Sequence, residues 1–270
     1  MAQWSSLRTE SLPGGWAHPL IRKLSNYTTL SDEERKAVAQ AAGKATDFRA
    51  GDDIVLRGDL TGGVRLVLEG FACRYKILED GRRQILGYLI PGDLCDLHVF
   101  LLKRMDHSIA AMARTKVAVI SQSNVLAFTD RHPNLTRALW WSTLLDEAIT
   151  REWVVNLGQR TAYERMAHLF CELYYRLQAI GGVRDGSYAL PLTQTALGDT
   201  LGLSTVHVNR TLQDLRAHGL ISFKGGIMTV HDLPGLETAG FFSADYLHLG
   251  DRDAITRGTA AVGSELGARR

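Results

Sequence analysis

The 270 residues exceed what one average core needs and leave room for two modest domains. A hydrophobic share of 45%, a charged share of 22% and only 6 Pro against 26 Gly exclude collagen-like, low-complexity and mostly disordered chains. The 31 basic and 29 acidic side chains leave a formal charge of +2, so a nucleic-acid partner has to be argued from local motifs and not from a global field.

Cys73, Cys95 and Cys171 form no Cys-x-x-Cys pair, and an odd, scattered count offers no disulfide framework, which suits a reducing compartment. Met1 to Glu10 lacks a basic start followed by an apolar stretch, and no run approaches the roughly 18 apolar residues of a membrane span. The expected location is the cytoplasm, with no membrane partner.

In chain order, roughly the first dozen residues carry no periodic signal and are expected to be loose. Ser31-Asp32-Glu33-Glu34 is a capping box ahead of an Ala-rich segment and predicts a short helix to Ala42. From Asp47 to about Phe128, β-branched and apolar runs alternate with turn pairs at Gly51-Asp52, Gly58-Asp59, Gly62-Gly63, Glu69-Gly70, Asp80-Gly81 and Gly92-Asp93. Turn signals at roughly 8- to 12-residue spacing predict a β-sandwich or roll. The clearest hairpin puts Phe71, Cys73, Tyr75 and Ile77 on one face and Arg74 and Lys76 on the other, with Asp80-Gly81 suited to a type I′ turn. No repeat of roughly 20 to 50 residues supports a solenoid or propeller.

From Pro133 the period turns helical. Ala138, Trp141, Leu145, Ala148 and Val155 fall at helical spacing on one face, and Leu135, Leu139, Ile149 and Trp153 on a second. Two apolar faces need two neighbours: either the helix is a core helix covered all round, or one face lies on the roll and the other on a second copy of the helix. Gly158 interrupts it, and Thr161-Ala162-Tyr163-Glu164 is a second capping box that opens a helix to about Ala179, with a hinge between.

Leu192 to Leu220 reads as two helices joined by a tight turn at Leu201-Gly202-Leu203, capped by Thr193 and Ser204, with Val208, Leu212 and Leu215 on the buried side of the second. That second helix carries Thr205, His207, Asn209, Arg210 and Gln213 toward its leading half, the part that enters a major groove. Arg bonds guanine bidentately and Asn adenine, which is what base reading requires. Ile221-Ser222-Phe223 and Ile227-Met228-Thr229-Val230 flank Lys224-Gly225-Gly226, a hairpin that makes the unit a winged helix with Lys224 placed for phosphate. With Arg210, Arg216 and Lys224 against Asp199 and Asp214, the local field is weak, so affinity needs two modules or DNA bending. A winged helix used only for protein contacts is the competing reading.

A β-roll with paired glycines, a long two-faced helix, a hinge and a winged helix-turn-helix, in this order, resembles the Crp/Fnr family of bacterial transcription regulators. The likeness covers about residues 20 to 231 and is most specific at Asp47-Phe48-Arg49-Ala50-Gly51-Asp52 through Glu69-Gly70, and from Leu192-Thr193 through Leu220-Ile221-Ser222. The resemblance implies an α+β chain with an N-terminal β-roll (a double-stranded jelly roll, cyclic-nucleotide-binding-like), a long dimerisation helix and a C-terminal winged helix-turn-helix. The expected domains are 20–130 for the β-roll sensor, 131–158 for the dimerisation helix, 159–240 for the DNA-binding domain and 241–270 for a C-terminal tail, loose from Asp251. It also implies a homodimer on a two-fold-related double-stranded DNA operator, with RNA polymerase as a partner if the protein activates. By position, Arg210 matches the guanine-reading Arg, Thr193 and Thr195 match phosphate contacts, and Lys224 sits where the wing touches the backbone. Together with Ser204, Thr205, His207, Asn209 and Gln213 these are the expected DNA-binding residues. Where many members carry Glu four residues before the Arg, this chain has Val206, so the operator is expected to differ from the best-known consensus, with His207 or Asn209 restoring discrimination.

Pro91-Gly92-Asp93-Leu94 resembles the start of the cyclic-nucleotide phosphate cassette, with Asp93 in place of the family's Glu. The Arg-Ser pair of that cassette stands as His107-Ser108 after a longer Phe100–Met105 segment. Gly92, Asp93, Leu94, Cys95, His107 and Ser108 are therefore the effector-pocket candidates. A neutral imidazole replaces a guanidinium fork poorly, so classical cyclic AMP (cAMP) binding is not expected. The N-terminal cysteines of the family's iron-sulfur oxygen sensors are missing, so that cofactor is not expected either.

No metal site is assigned, but Cys95, Asp96, His98 and His107 have metal-binding side chains and could converge in a roll cavity. Against this, Cys95 reads as a buried filler, His98 and His107 as backbone-bonded, and Asp93 or Asp96 as a turn cap. A metal-, redox- or pH-responsive regulator, the last through His107, stays open beside a ligand-independent one. A cupin-like metal enzyme is the alternative from another class. It needs a His-x-His pair, which is absent, as are Gly-x-Ser-x-Gly and phosphate-loop motifs, so no catalytic residue is assigned.

Overall fold

The computed structural model describes residues 18–60, 62–95, 97, 102 and 104–249. The stretch expected to be loose at the start, the one from Asp251 to Arg270, and the metal-ligand candidates Asp96 and His98 lie outside the described residues.

Two short helices lead in. Helix α1 (Pro19–Leu24) opens on a proline, whose fixed φ and missing N–H suit a first turn. Helix α2 (Asp32–Ala41) starts from the predicted capping box, in which the Ser31 hydroxyl accepts from the Glu34 N–H and the Glu34 carboxylate accepts from the Ser31 N–H at 2.8 Å. Leu20, Ile21, Leu24 and Val38 are buried in one core with Val64, Leu66, Leu135 and Leu139.

The roll is built from β1 (Thr46–Phe48), β2 (Asp53–Val55), β3 (Gly63–Glu69), β4 (Ala72–Ile77), β5 (Arg83–Leu89), β6 (Ser108–Ala111) and β7 (Thr115–Ser121). They form two antiparallel sheets ordered β1–β7–β3 and β2–β6–β4–β5. Val67 and Val117 of the first share a core with Ala72, Leu89, Ile109 and Ala111 of the second. The β4–β5 hairpin keeps the predicted alternation through Tyr75, but Ile77 at its outer end is 55% exposed. Its turn differs from the type I′ expectation. Gly81 is left-handed at φ +86 while Asp80 is not, and the Leu78 N–H donates to the Arg82 carbonyl at 2.8 Å. Glu79, Asp80 and Gly81 thus make a three-residue loop, one residue more than type I′ accommodates.

Helix α3 (Gln122–Arg131) leads into α4 (Pro133–Gln159), 27 residues long. Leu135, Ala138 and Leu139 bury on the roll side, and Leu145, Ile149 and Trp153 join the core shared with α5 (Ala162–Gln178). Both apolar faces foreseen for α4 are therefore covered largely by the chain itself, and Leu145 is only 6% exposed. A third stripe points outward instead: Trp140, Leu144 and Val154, with the Glu147–Arg151 ion pair at 2.7 Å between them. Helix α5 begins at the second predicted box, where the Thr161 N–H donates to the Glu164 carboxylate at 2.7 Å.

The C-terminal unit comprises β8 (Val183–Arg184), β9 (Ser187–Ala189), α6 (Gln194–Leu201), α7 (Thr205–Ala217), β10 (Ile221–Lys224), β11 (Ile227–Val230) and α8 (Leu233–Gly240), its strands ordered β10–β11–β9–β8. A 3₁₀ turn at Ala244–Leu247 follows; Leu247 is fully buried, and Phe242 and Tyr246 pack against His168. The packed core thus runs past Gly240 into the stretch read as tail. Among the described residues no helix is long and apolar enough to cross a membrane.

Candidate nucleic-acid interface

The reader is assembled by caps and one close approach. The Thr193 hydroxyl accepts from the Ala196 N–H at 3.1 Å to start α6, and the Ser204 hydroxyl accepts from the His207 N–H at 3.3 Å to start α7. Gly202, left-handed at φ +66, ends α6. At Gly198 a Cβ would stand 2.6 Å from the Leu203 carbonyl oxygen, so the two helices cross only because that side chain is absent. The wing closes on Gly225 and Gly226, both at positive φ (+61 and +75), the pair a two-residue type I′ turn requires.

Helix α7 buries Val208, Thr211, Leu212 and Leu215, and Thr205, Val206, His207, Asn209, Arg210 and Gln213 are exposed. Thr193, Thr195, Ser204 and the wing residue Lys224 are exposed as well, so every expected DNA-contact residue reaches solvent. Arg216 is committed differently: its guanidinium donates to the Phe223 carbonyl at 3.1 Å and ties α7 to the wing.

Contacts from outside the reader brace it, and sequence reasoning missed them. Arg165 on α5 donates to the Leu201 carbonyl at 2.6 Å and to the Arg160 carbonyl at 2.9 Å. From the roll, Arg83 pairs with Asp199 at 2.8 Å and the Gln84 amide donates to the Thr200 carbonyl at 3.1 Å. Tyr88 lies 2.5 Å from the Thr200 hydroxyl, which itself donates to the Ala196 carbonyl, leaving the phenol as donor in that contact. Arg83 also offsets one of the two acidic groups of the reader.

The effector-pocket candidates are arranged very differently. Asp93 is buried and accepts from Lys23 Nζ at 2.7 Å, Arg176 Nη2 at 2.9 Å and the Ile90 N–H at 2.8 Å. Burial alone would raise its carboxyl, but Lys23 and Arg176 hold it below the ordinary carboxylate value. Arg176 also donates to Glu172 at 3.1 Å, and Glu172 accepts from Trp153 Nε1 at 2.9 Å and the Tyr246 hydroxyl at 3.1 Å. Burial raises Glu172 above its usual range, and those donors only moderate the shift. At Gly92, φ +95, a Cβ would stand 2.6 Å from the Pro19 carbonyl oxygen, which is how closely α1 lies over the cassette turn. Arg22 and Asn26 reach the Ile180 and Ala179 carbonyls at 3.4 and 3.3 Å, so this segment also touches the end of α5.

The other candidates are engaged too. His107 Nδ1 lies 2.6 Å from Asp106, the Ser108 hydroxyl accepts from the Arg57 N–H at 2.9 Å, and the Cys95 carbonyl accepts from Arg74. A cleft of about 180 Å³ does lie between roll and long helix, lined by Arg74, Leu94, Leu97, Ser142, Asp146 and Glu147 among others. Of the six expected pocket residues only Leu94 lines it, and Arg74 there is paired with Asp146 at 2.9 Å. Among the described residues no three metal-binding side chains converge. In the sequence, Asp93 is marked by the cassette turn and Glu172 and Arg176 stand four residues apart on one helix, but nothing local joins them or points to Lys23.

The family models described as Cyclic nucleotide-binding domain and Crp-like helix-turn-helix domain match residues 45–132 and 164–239. The nitrogen fixation regulation protein FixK of Bradyrhizobium diazoefficiens is 32% identical over 186 residues, covering 68% of this chain and 77% of its own. The transcriptional activator protein FnrL of Cereibacter sphaeroides is 27% identical over 198 residues, 72% of this chain and 79% of its own. The solved structure of FixK2 from Bradyrhizobium japonicum matches with a TM-score of 0.67 at 27% identity, over 74% of this chain and 98% of that one. The roll falls in the first matched stretch and the winged reader in the second, and the chain belongs to the Crp/Fnr family of transcription regulators.

Proposed function

We propose that this regulator binds a two-fold-related operator in double-stranded DNA as a homodimer and reads each half-site with α7. The observation that carries the reading is the exposed face of α7, where Asn209 and Arg210 in the leading half and Gln213 just after them are presented by a capped helix braced from behind. Arg210 supplies bidentate guanine recognition, Thr193, Thr195 and Lys224 hold phosphates, and Ser204, Thr205 and His207 flank the entering end. The weak field of one reader is what a dimer overcomes by doubling the contacts.

The outward stripe of α4 supports the dimer. Trp140, Glu147 and Val154 recur every seven residues, and Leu144 and Arg151 do the same, the spacing of a two-helix seam. The partner face is then this stripe and not the one containing Leu145. Cytoplasmic location follows from the DNA partner, RNA polymerase is a further partner if the outcome is activation, and no catalysis is assigned.

The cassette supports a regulator that does not take a cyclic phosphate. Asp93 already holds two cations of its own chain, and His107 and Ser108 are bonded within the roll. These closed contacts favour a ligand-independent reading over the binding of a cyclic phosphate.

The test is operator binding by Arg210→Ala in a gel shift. Specific affinity falls by ~1–3 kcal/mol per half-site while non-specific binding changes little. An unchanged bound-sequence profile would remove α7 as the reader.

A further inference from the structure

We propose that Val206 is a specificity-determining residue that packs on the 5-methyl group of a thymine in the major groove, one helical turn ahead of the guanine-reading Arg210. The inference rests on the DNA-reading role of α7 proposed above and adds a base preference to it.

At 79% exposure Val206 is the most exposed of the large hydrophobic side chains among the described residues. Its direction matters more than its exposure. At about 100° per residue, the buried Val208, Thr211, Leu212 and Leu215 define one side of α7, and Val206, Arg210 and Gln213 point away from it. Thr205 and His207, one position to either side, are rotated toward the flanks. The position that approaches the floor of the groove beside Arg210 is therefore apolar, and His207 is a poorer candidate for that base.

The fold gains nothing from a valine there. It packs on no core, and a β-branched residue is a weaker helix former than many alternatives in an exposed first turn. Singly exposed apolar residues need no explanation on an ordinary surface. Here the neighbours are Thr205, His207, Asn209 and Arg210, so no apolar patch for a protein partner forms around it. Against a base-pair edge the chemistry is selective. The thymine methyl is the one apolar group the major groove displays, and valine complements it. Opposite the amino group of cytosine or adenine, the same side chain would cover a donor without accepting from it. The stiff χ1 of a β-branched residue presents the methyls in a set direction, with little freedom lost on binding.

The experiment selects bound sequences from a random duplex library with the full-length protein, then measures the enriched operator with each thymine replaced singly by deoxyuridine, which removes only the methyl. For the wild type, one thymine column next to the Arg210-read guanine is expected to lose about three- to fivefold in affinity on that replacement, the worth of one buried methyl. For Val206→Ala, whose side chain keeps one methyl but reaches less far, the same replacement is expected to cost clearly less than in the wild type, while the guanine column persists. Val206→Glu should move the column toward cytosine, whose amino group a carboxylate accepts from. Equal thermal melting of wild type and Val206→Ala checks that the fold is intact. An operator bound by the wild type with no sensitivity to deoxyuridine at any column overturns the assignment of Val206 and leaves the reader standing. Identical profiles for wild type and Val206→Ala overturn it too and hand the side chain to a protein contact. No enriched half-site at all with the wild type would overturn the reading role of α7, and this inference with it.

Discussion

The reader and the roll pocket use the same kinds of side chain to opposite ends. On α7 the polar groups face water: Asn209, Arg210 and Gln213 are exposed and are held ready by contacts behind them. At the roll's cassette turn, Asp93, Lys23, Arg176 and Glu172 are buried and satisfy one another across three segments of the chain. A charged residue is available to a ligand only where its own protein has not already answered it. On that criterion the helix-turn-helix is open for recognition, and the cassette is a structural joint between α1, the roll and α5.

The largest effect should come from opening that joint. Asp93→Ala leaves Lys23 and Arg176 buried without their shared counter-ion, and breaking a buried pair from one side costs ~3–5 kcal/mol. A steep drop in melting temperature in differential scanning calorimetry is expected, with a smaller one for Lys23→Met, which removes a cation and keeps the apolar stem. If Asp93→Ala melts like wild type and gains affinity for an added anion, the cassette is a ligand site after all and the contrast fails.

Next in size is the outward stripe of α4. Leu144→Glu sets two carboxylates across the proposed seam, and sedimentation at fixed protein concentration should show the monomer displacing the dimer, with cooperative operator binding lost. Leu145→Glu is expected to lower melting temperature instead, because Leu145 lies in the chain's own core. A dimer that survives Leu144→Glu reassigns the interface.

These two leucines mark where the sequence was readable and where it was not. The caps at Ser31, Thr161, Thr193 and Ser204 are visible because a cap is a contact between residues three apart. The helix-turn-helix is visible for the same reason, as caps, a Gly202 stop and a short apolar pattern. Helical period shows that Leu145 is apolar and faces one way, but not which neighbour covers it. In the sequence Val206 stands out only for the carboxylate it lacks, and the direction of α7 is what places it centrally. Lys23 and Arg176 meet Asp93 from 70 and 83 residues away, a convergence that no local pattern encodes. The loop at Gly81 is one residue longer than the pair Asp80-Gly81 implies, since Asp-Gly serves either turn length.

A third effect is set by pH. His168 is 1% exposed between Phe242 and Tyr246, and burial, with Arg160 nearby, lowers its imidazole from 6.5 to about 3. Glu152 lies 3.2 Å from it but is held by Arg160 at 2.7 Å, so the imidazole gains little from that carboxylate. The folded protein keeps the ring neutral while the unfolded chain takes up a proton. This contribution to stability is therefore complete above 6.5 and is lost as pH falls from there toward 3, by about 1.4 kcal/mol per pH unit. Asp93 acts with the same sign at lower pH, because its depressed carboxyl stabilises the fold only above the unfolded value and loses that as pH falls through the folded one. Urea melts of His168→Gln against wild type should show a shallower acid slope between pH 6 and roughly 4, with equal stability slopes above neutrality. Parallel slopes throughout would mean that the buried ring is not the group titrating.

The smallest effect tests whether the two regions are joined at all. Arg83 on β5 and Asp199 on α6 are partly exposed, so their pair is worth only ~0.2–1 kcal/mol to stability. Its position is what gives it interest, because with Tyr88–Thr200 and Gln84–Thr200 it is where the roll grips the first helix of the reader. If that grip sets the orientation of α7, Arg83→Ala should lower operator affinity about two- to fivefold, Asp199→Ala should do the same, and the double variant should be no worse than either, since both remove one interaction. Additive losses would mean that each side chain acts separately, Arg83 through the DNA field and Asp199 within α6. No loss in either variant would make the reader independent of the roll, and the buried cassette would then stabilise the fold without influencing what the regulator binds.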